Sequence, residues 1–119
     1  MTLSQCKKLK VWGLPQKECR NWLTQDGSTW LGMADCDKHG VLREFHPDNG
    51  FGRVLLGCPD LEQLLEFAKT EVKSILRLQQ SYANKDTWLA CDDDNPSYAV
   101  DPDPKVAIFR LLEKVRGNI

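Results

Sequence analysis

What this chain lacks narrows its chemistry before anything in it is read. No two of its cysteines stand at Cys-x-x-Cys spacing, so neither a zinc ribbon nor a thioredoxin-like redox site is written into it. The five cysteines, Cys6, Cys19, Cys36, Cys58 and Cys91, are odd in number and widely spaced, and no apolar signal segment opens the sequence. We therefore expect free thiols and a cytoplasmic location. Cys58 and Cys91, each at the end of an apolar stretch, are expected to act as small buried hydrophobes. No apolar run approaches the ~20 residues that cross a bilayer, which argues against a membrane partner. Nor is there an excess of positive charge. With 16 Lys and Arg against 17 Asp and Glu, the net charge is −1, too little basicity for general binding to duplex nucleic acid. Prolines number only six, against 41% apolar residues, a balance that excludes a disordered tail.

What is present fits one domain spanning residues 1–119. Charge is unevenly spread. Lys7, Lys8, Lys10, Lys17 and Arg20 face only Glu18 in the first twenty residues, whereas Asp86, Asp92, Asp93, Asp94, Asp101 and Asp103 stand in 86–103 without a base. Such polarity can steer a charged partner, or bring the two ends together in the fold.

Local signals give an order of elements. Thr2 with Gln5 has the form of a capping box; Leu3, Cys6 and Leu9 recur at helical spacing, and Gly13 supplies a left-handed stop. Residues 17–23 are open to a turn of helix or a strand. Ser28 to Asp35 reads as one strand containing Trp30 and Met33, followed by the turn Asp37-Lys38-His39-Gly40 and a partner strand over 41–45. In that strand Val41, Arg43 and Phe45 alternate with Leu42 and Glu44. His46-Pro47-Asp48-Asn49-Gly50 is a turn, and a further strand runs around Arg53 to Leu56. Residues 60–80 carry an apolar stripe of Leu61, Leu64, Leu65, Ala68, Val72, Ile75 and Leu76, which predicts a helix ~30 Å long. Residues 87–91 and 97–100 form a second hairpin around the acidic turn at Asp92-Asp93-Asp94. Asp103-Pro104 opens the last helix. The fold class is α+β: an antiparallel or mixed sheet of about five strands with three helices packed on it.

Both histidines, His39 and His46, fall in the 37–53 stretch, with Cys36, Asp35, Asp37 and Asp48 nearby. These are zinc-accepting types, but the second paired motif of a structural site is missing, so we expect no metal. A thiol could be activated by either imidazole in three dimensions, yet no nucleophile elbow, phosphate-cradling glycine loop or dinucleotide fingerprint is present. The Asp92 to Asn95 turn lacks the glycine and trailing glutamate of a calcium loop. We therefore expect no cofactor and assign no catalytic residue.

Binding is the better-supported class. Trp30 and Trp88 belong to a set of four tryptophans, and aromatics with arginine dominate interfaces. Arg43, Phe45 and Arg53, if they share an exposed face, can stack on and pair with a nucleotide phosphate. Asp92, Asp93 and Asp94 can mimic nucleic-acid phosphates toward a basic partner.

Three scaffold motifs add a resemblance. Lys8 to Gln16 (KLKVWGLPQ), Cys58 to Leu65 (CPDLEQLL) and Asp101 to Ile108 (DPDPKVAI) resemble segments of small, mostly uncharacterised phage and prophage proteins, similar in outline to phage α-β-α sandwich domains. The resemblance covers under a third of the chain and transfers no catalytic residue. It implies a sandwich fold in the host bacterial cytoplasm and a class of role: a non-enzymatic protein that inhibits a bacterial defence component, either an anti-CRISPR-like inhibitor of a protein complex or a sink for a nucleotide messenger. Two alternatives stay open. One is a small enzyme that degrades a signalling nucleotide with His39 or His46 as base; the other is a structural or regulatory phage protein forming a homo-oligomer through an exposed strand edge.

Overall fold

The structure, a computed structural model, describes residues 1–72, 76–81, 85–92 and 95–117. The α+β class holds. The single sheet of about five strands does not: among the described residues, three helices accompany three antiparallel sheets of three strands each. The chain divides into two compact units, Met1–Asp60 and Leu61–Ile119.

In the first unit, α1 (Leu3–Val11) is opened by the capping box, Thr2 accepting from the Gln5 amide while the Gln5 side chain accepts from that of Thr2. It closes with paired bonds from Gly13 N to Lys10 O and from Leu14 N to Leu9 O, around Gly13 at φ +105°. Cys6 and Leu9 are buried on its inner side, while Lys7, Lys8 and Lys10 are exposed. The ambiguous 17–23 segment resolves as β1 (Asn21–Leu23), paired with β2 (Thr29–Trp30) and β6 (Leu56–Cys58).

The strand expected over 28–35 is two strands in two sheets. β2 ends at Trp30 and β3 (Ala34–Cys36) pairs instead with β4 (Leu42–His46). The cause lies at Gly32. The Trp30 indole folds over it so closely that a Cβ there would lie 2.7 Å from the ring, and Trp30 Nε1 donates to Met33 O at 2.9 Å. That bend switches the chain between sheets, leaving Leu31 and Met33 in solvent. β5 (Gly50–Val54) returns antiparallel to β4 through the His46–Gly50 turn, with Gly50 at φ +78°.

The second unit stacks helices on a sheet. The helix expected over 60–80 stops early: α2 (Leu61–Glu71) is followed by β7 (Leu76–Gln80), and residues 73–75, including Ile75 of the expected stripe, lie outside the described residues. Leu76 to Gln80 pairs residue for residue with β8 (Trp88–Asp92), from Leu76 opposite Asp92 to Gln80 opposite Trp88. Ladder bonds along five residues override the helix propensity of Leu76-Arg77-Leu78-Gln79-Gln80, as tertiary context commonly does. β9 (Asn95–Asp101) completes the second hairpin. Asp103 caps α3 (Pro104–Gly117), its carboxylate accepting from Lys105 N at 2.9 Å. Ala107, Ile108, Phe109, Leu111 and Leu112 are buried, and α3 packs on β8, β9 and α2.

No helix among the described residues is long and apolar enough to cross a membrane.

Candidate functional site

The sheet β3-β4-β5 gathers most of the polar chemistry of the first unit. Asp37 organises its turn, taking Asp37-Lys38-His39-Gly40 around Gly40 at φ +77°. Its Oδ1 accepts from His39 N (2.9 Å) and Val41 N (3.0 Å), and its Oδ2 accepts from Arg43 Nε at 2.7 Å. The arginine's hydrogen bond, then the Val41 amide, hold this carboxyl below its ordinary range. Arg43 is gripped from the other side as well, Nη1 donating to Gly52 O at 3.2 Å. With two N–H groups fixed, the guanidinium stands in one pose with the rest of its donors available. Asp37, Lys38, His39, Arg43 and Phe51 line an open concavity of about 350 Å³, beside which Phe51 packs on Phe45 with ring centroids 5.5 Å apart. Phe51 is 46% exposed, so part of an aromatic ring faces solvent next to a held cation.

A second cluster arises from an irregularity in the ladder. Arg43 pairs with Val54 and Phe45 with Phe51, so the single residue Glu44 opposes both Gly52 and Arg53. This bulge directs Arg53 toward Glu44, whose Oε2 accepts from Arg53 Nε at 2.5 Å. Glu44 is only 4% exposed. Its Oε1 lies 3.3 Å from His46 Nε2, and the Trp30 ring meets the imidazole edge-on with centroids 6.0 Å apart. Gly52 permits the packing: a Cβ there would lie 3.1 Å from His46 Nε2 and 3.2 Å from Glu44 Oε1.

The expected binding residues are thus partly assembled. Arg43 and Phe45 join Phe51 and the Asp37 turn, while Arg53 belongs to the Glu44 cluster. Trp30 is half-buried against Gly32 and His46, and Trp88 lies half-buried in β8 opposite Gln80 and Asp101. Asp92 is 9% exposed at the end of β8 rather than at a solvated tip; Asp93 and Asp94 lie outside the described residues. Sequence reading gave Glu44 no site role and weighed Asp37 only as a turn residue and a zinc-accepting type, not as the brace of Arg43. For Glu44 a signal existed: it shares with Leu42 the alternate face of β4, and that face is the buried one.

Among the cysteines, Cys6 and Cys19 are buried and Cys36, Cys58 and Cys91 half-buried, and all five are thiols rather than disulfide sulfurs. A hydrogen bond with Cys58, then burial, drives the Cys6 thiol far above its ordinary range, so it stays protonated and inert as a nucleophile. No group of three or more His, Cys, Asp or Glu among the described residues is arranged to hold a metal ion.

Comparison of the chain with models of protein families, with curated proteins and with solved structures finds no match in any of the three.

Proposed function

We propose that this chain is a small binding protein that holds an anionic, ring-bearing ligand of the nucleotide class in the concavity of the Asp37 turn. By the class of role its scaffold resemblance implies, it would act by sequestering a nucleotide messenger of bacterial defence. The observation carrying the ligand class is the Arg43 guanidinium, braced by Asp37 at 2.7 Å and Gly52 O at 3.2 Å beside a half-exposed Phe51 ring. A pre-positioned guanidinium loses little side-chain entropy on pairing with phosphate, and an exposed ring offers a base a stacking surface. Lys38 and His39, both exposed, add donors at the rim. The volume of about 350 Å³ is at the lower end of small-molecule sites, which favours a mononucleotide-sized group over a bulkier one.

Calorimetric titration with linear and cyclic nucleotides tests this. We expect binding to at least one, weakened roughly tenfold or more by Arg43→Ala, the scale of one charge-assisted hydrogen bond. No heat across the panel would end the reading.

A further inference from the structure

The Glu44 cluster has a composition that a merely buried ion pair does not require. Arg53 alone, at 2.5 Å, supplies the opposite charge that a 4% exposed carboxylate needs. Yet the second oxygen of Glu44 also engages His46, whose side chain is 43% exposed. Donation from Nε2 to the Glu44 carboxylate favours the neutral tautomer whose Nδ1 carries the lone pair, and Nδ1 has no hydrogen-bond partner among the described residues. Arg53 uses only Nε on Glu44 and is 66% exposed, so its terminal amino groups are available at the carboxylate that also engages His46. Asp26 also feels Arg53, and it is itself occupied by Thr24 and Ser28 N. One buried carboxylate therefore presents a base and an oxyanion-pairing cation together at the surface.

No serine, threonine or cysteine side chain hydrogen-bonds the His46 ring among the described residues, so the attacking oxygen is taken to come with the substrate. A phosphodiester carrying its own vicinal hydroxyl satisfies this. Intramolecular attack has an effective molarity of roughly 10⁵–10⁸ M in well-oriented systems, so one base and one cation suffice where attack by free water would demand more. The geometry points to His46, with Arg53, as a metal-independent site for transesterification of ribonucleotide phosphodiesters, Glu44 being the positioning residue.

The step balances within the substrate and solvent. His46 Nδ1 takes the 2′-hydroxyl proton, the 2′-oxygen bonds to phosphorus, and the bond from phosphorus to the 5′-oxygen breaks. The departing 5′-oxygen takes a proton from water and the imidazolium later returns its own to water. The products are a 2′,3′-cyclic phosphate and a 5′-hydroxyl. Arg53 N–H groups meet the charge gathering on the non-bridging oxygens.

The test uses the whole chain with an oligodeoxynucleotide containing one ribonucleotide, in EDTA, with products identified by mass. We expect cleavage at the ribonucleotide to a cyclic phosphate, lowered about 100-fold by His46→Ala, the scale of one general base. Glu44→Gln should lower kcat with KM little changed and alter the nitrogen chemical shifts of His46 by releasing its tautomer. Should His46→Ala fail to fold, Arg53→Lys, at a mostly exposed position, tests the same site through a lowered kcat. Absence of a cyclic phosphate with the wild-type protein, cleavage undiminished by His46→Ala, or equal cleavage of the all-deoxy strand would overturn the assignment. The nucleotide titration at the Asp37 turn is read by a different signal, so the two readings fail separately.

Discussion

Among the described residues, the later unit (61–119) buries mainly large apolar side chains, with Asp92 its buried charged residue, whereas the earlier unit (1–60) buries fewer of them together with Thr24 and Glu44. In the later unit Leu64, Phe67, Val72, Ile108, Phe109, Leu111 and Leu112 are buried, as are four alanines, Ala68, Ala90, Ala99 and Ala107. Its charged pairs, Arg116 with Glu71 at 2.6 Å and Arg110 with Asp101 at 3.3 Å, involve partly exposed side chains. The earlier unit buries leucines and two thiols, but also Thr24 and Glu44, and its turns are tied by Asp26 and Asp37. A thin apolar core can still hold a precise surface if hydrogen bonds fix it, and fixed donors and acceptors are what recognition and proton transfer need. The candidate sites fall in the first unit for that reason.

Three perturbations sharpen this contrast. The largest effect belongs to the apolar unit: Leu111→Ala, at a fully buried position, should cost about 3 kcal/mol or more, read by denaturant unfolding and by loss of amide protection in α3 and β8. A loss well below 1 kcal/mol would mean that this core is loosely packed and the contrast misplaced. At Glu44 the expected effects are smaller and depend on the replacement. Glu44→Ala should cost about 1–2 kcal/mol, less than a typical broken buried pair, because Arg53 is exposed enough to regain water. Glu44→Met, which fills the same space without charge, should be close to neutral in stability. Equal, large losses for both would show that the carboxylate is indispensable to the fold rather than retained for its surface chemistry.

The smallest effect is an acid one. Hydrogen bonds from Thr24, then from the Ser28 amide, lower the Asp26 carboxyl from 3.8 to about 2. A folded value below the unfolded one means that the stabilisation is complete above pH 3.8 and is lost as pH falls toward about 2. Amide exchange in the 24–28 turn should therefore stay slow from neutral pH to about 4, once corrected for intrinsic rates, and quicken below it. Asp26→Asn should remove that dependence; an unchanged profile would detach the turn from the carboxylate.

Much of the local structure was legible. The Thr2 and Gln5 cap, the Gly13 stop, the turns at Gly40 and Gly50, the hairpin of β8 with β9 and the Asp103 cap all follow from residues within a few positions of one another. The division of 28–35 was not legible, because it depends on an indole lying over Gly32. Nor was the change from helix to strand after Glu71, since the stripe through Leu76 fits both periodicities once β8 is there to pair. At the candidate sites, the alternation along β4 put Arg43 and Phe45 on one face, while the grouping with Arg53 failed at the bulge.

The chain's own letters settled where it turns, where its helices start and that its mass of apolar side chains needs α and β layers, because caps, glycines and periodic stripes act over one or two turns of backbone. Only the tertiary structure decided which strands share a sheet, that Glu44 is buried and that Arg53 and His46 meet it. Strand pairing joins distant segments, and one extra residue opposite Glu44 is enough to change which side chains meet.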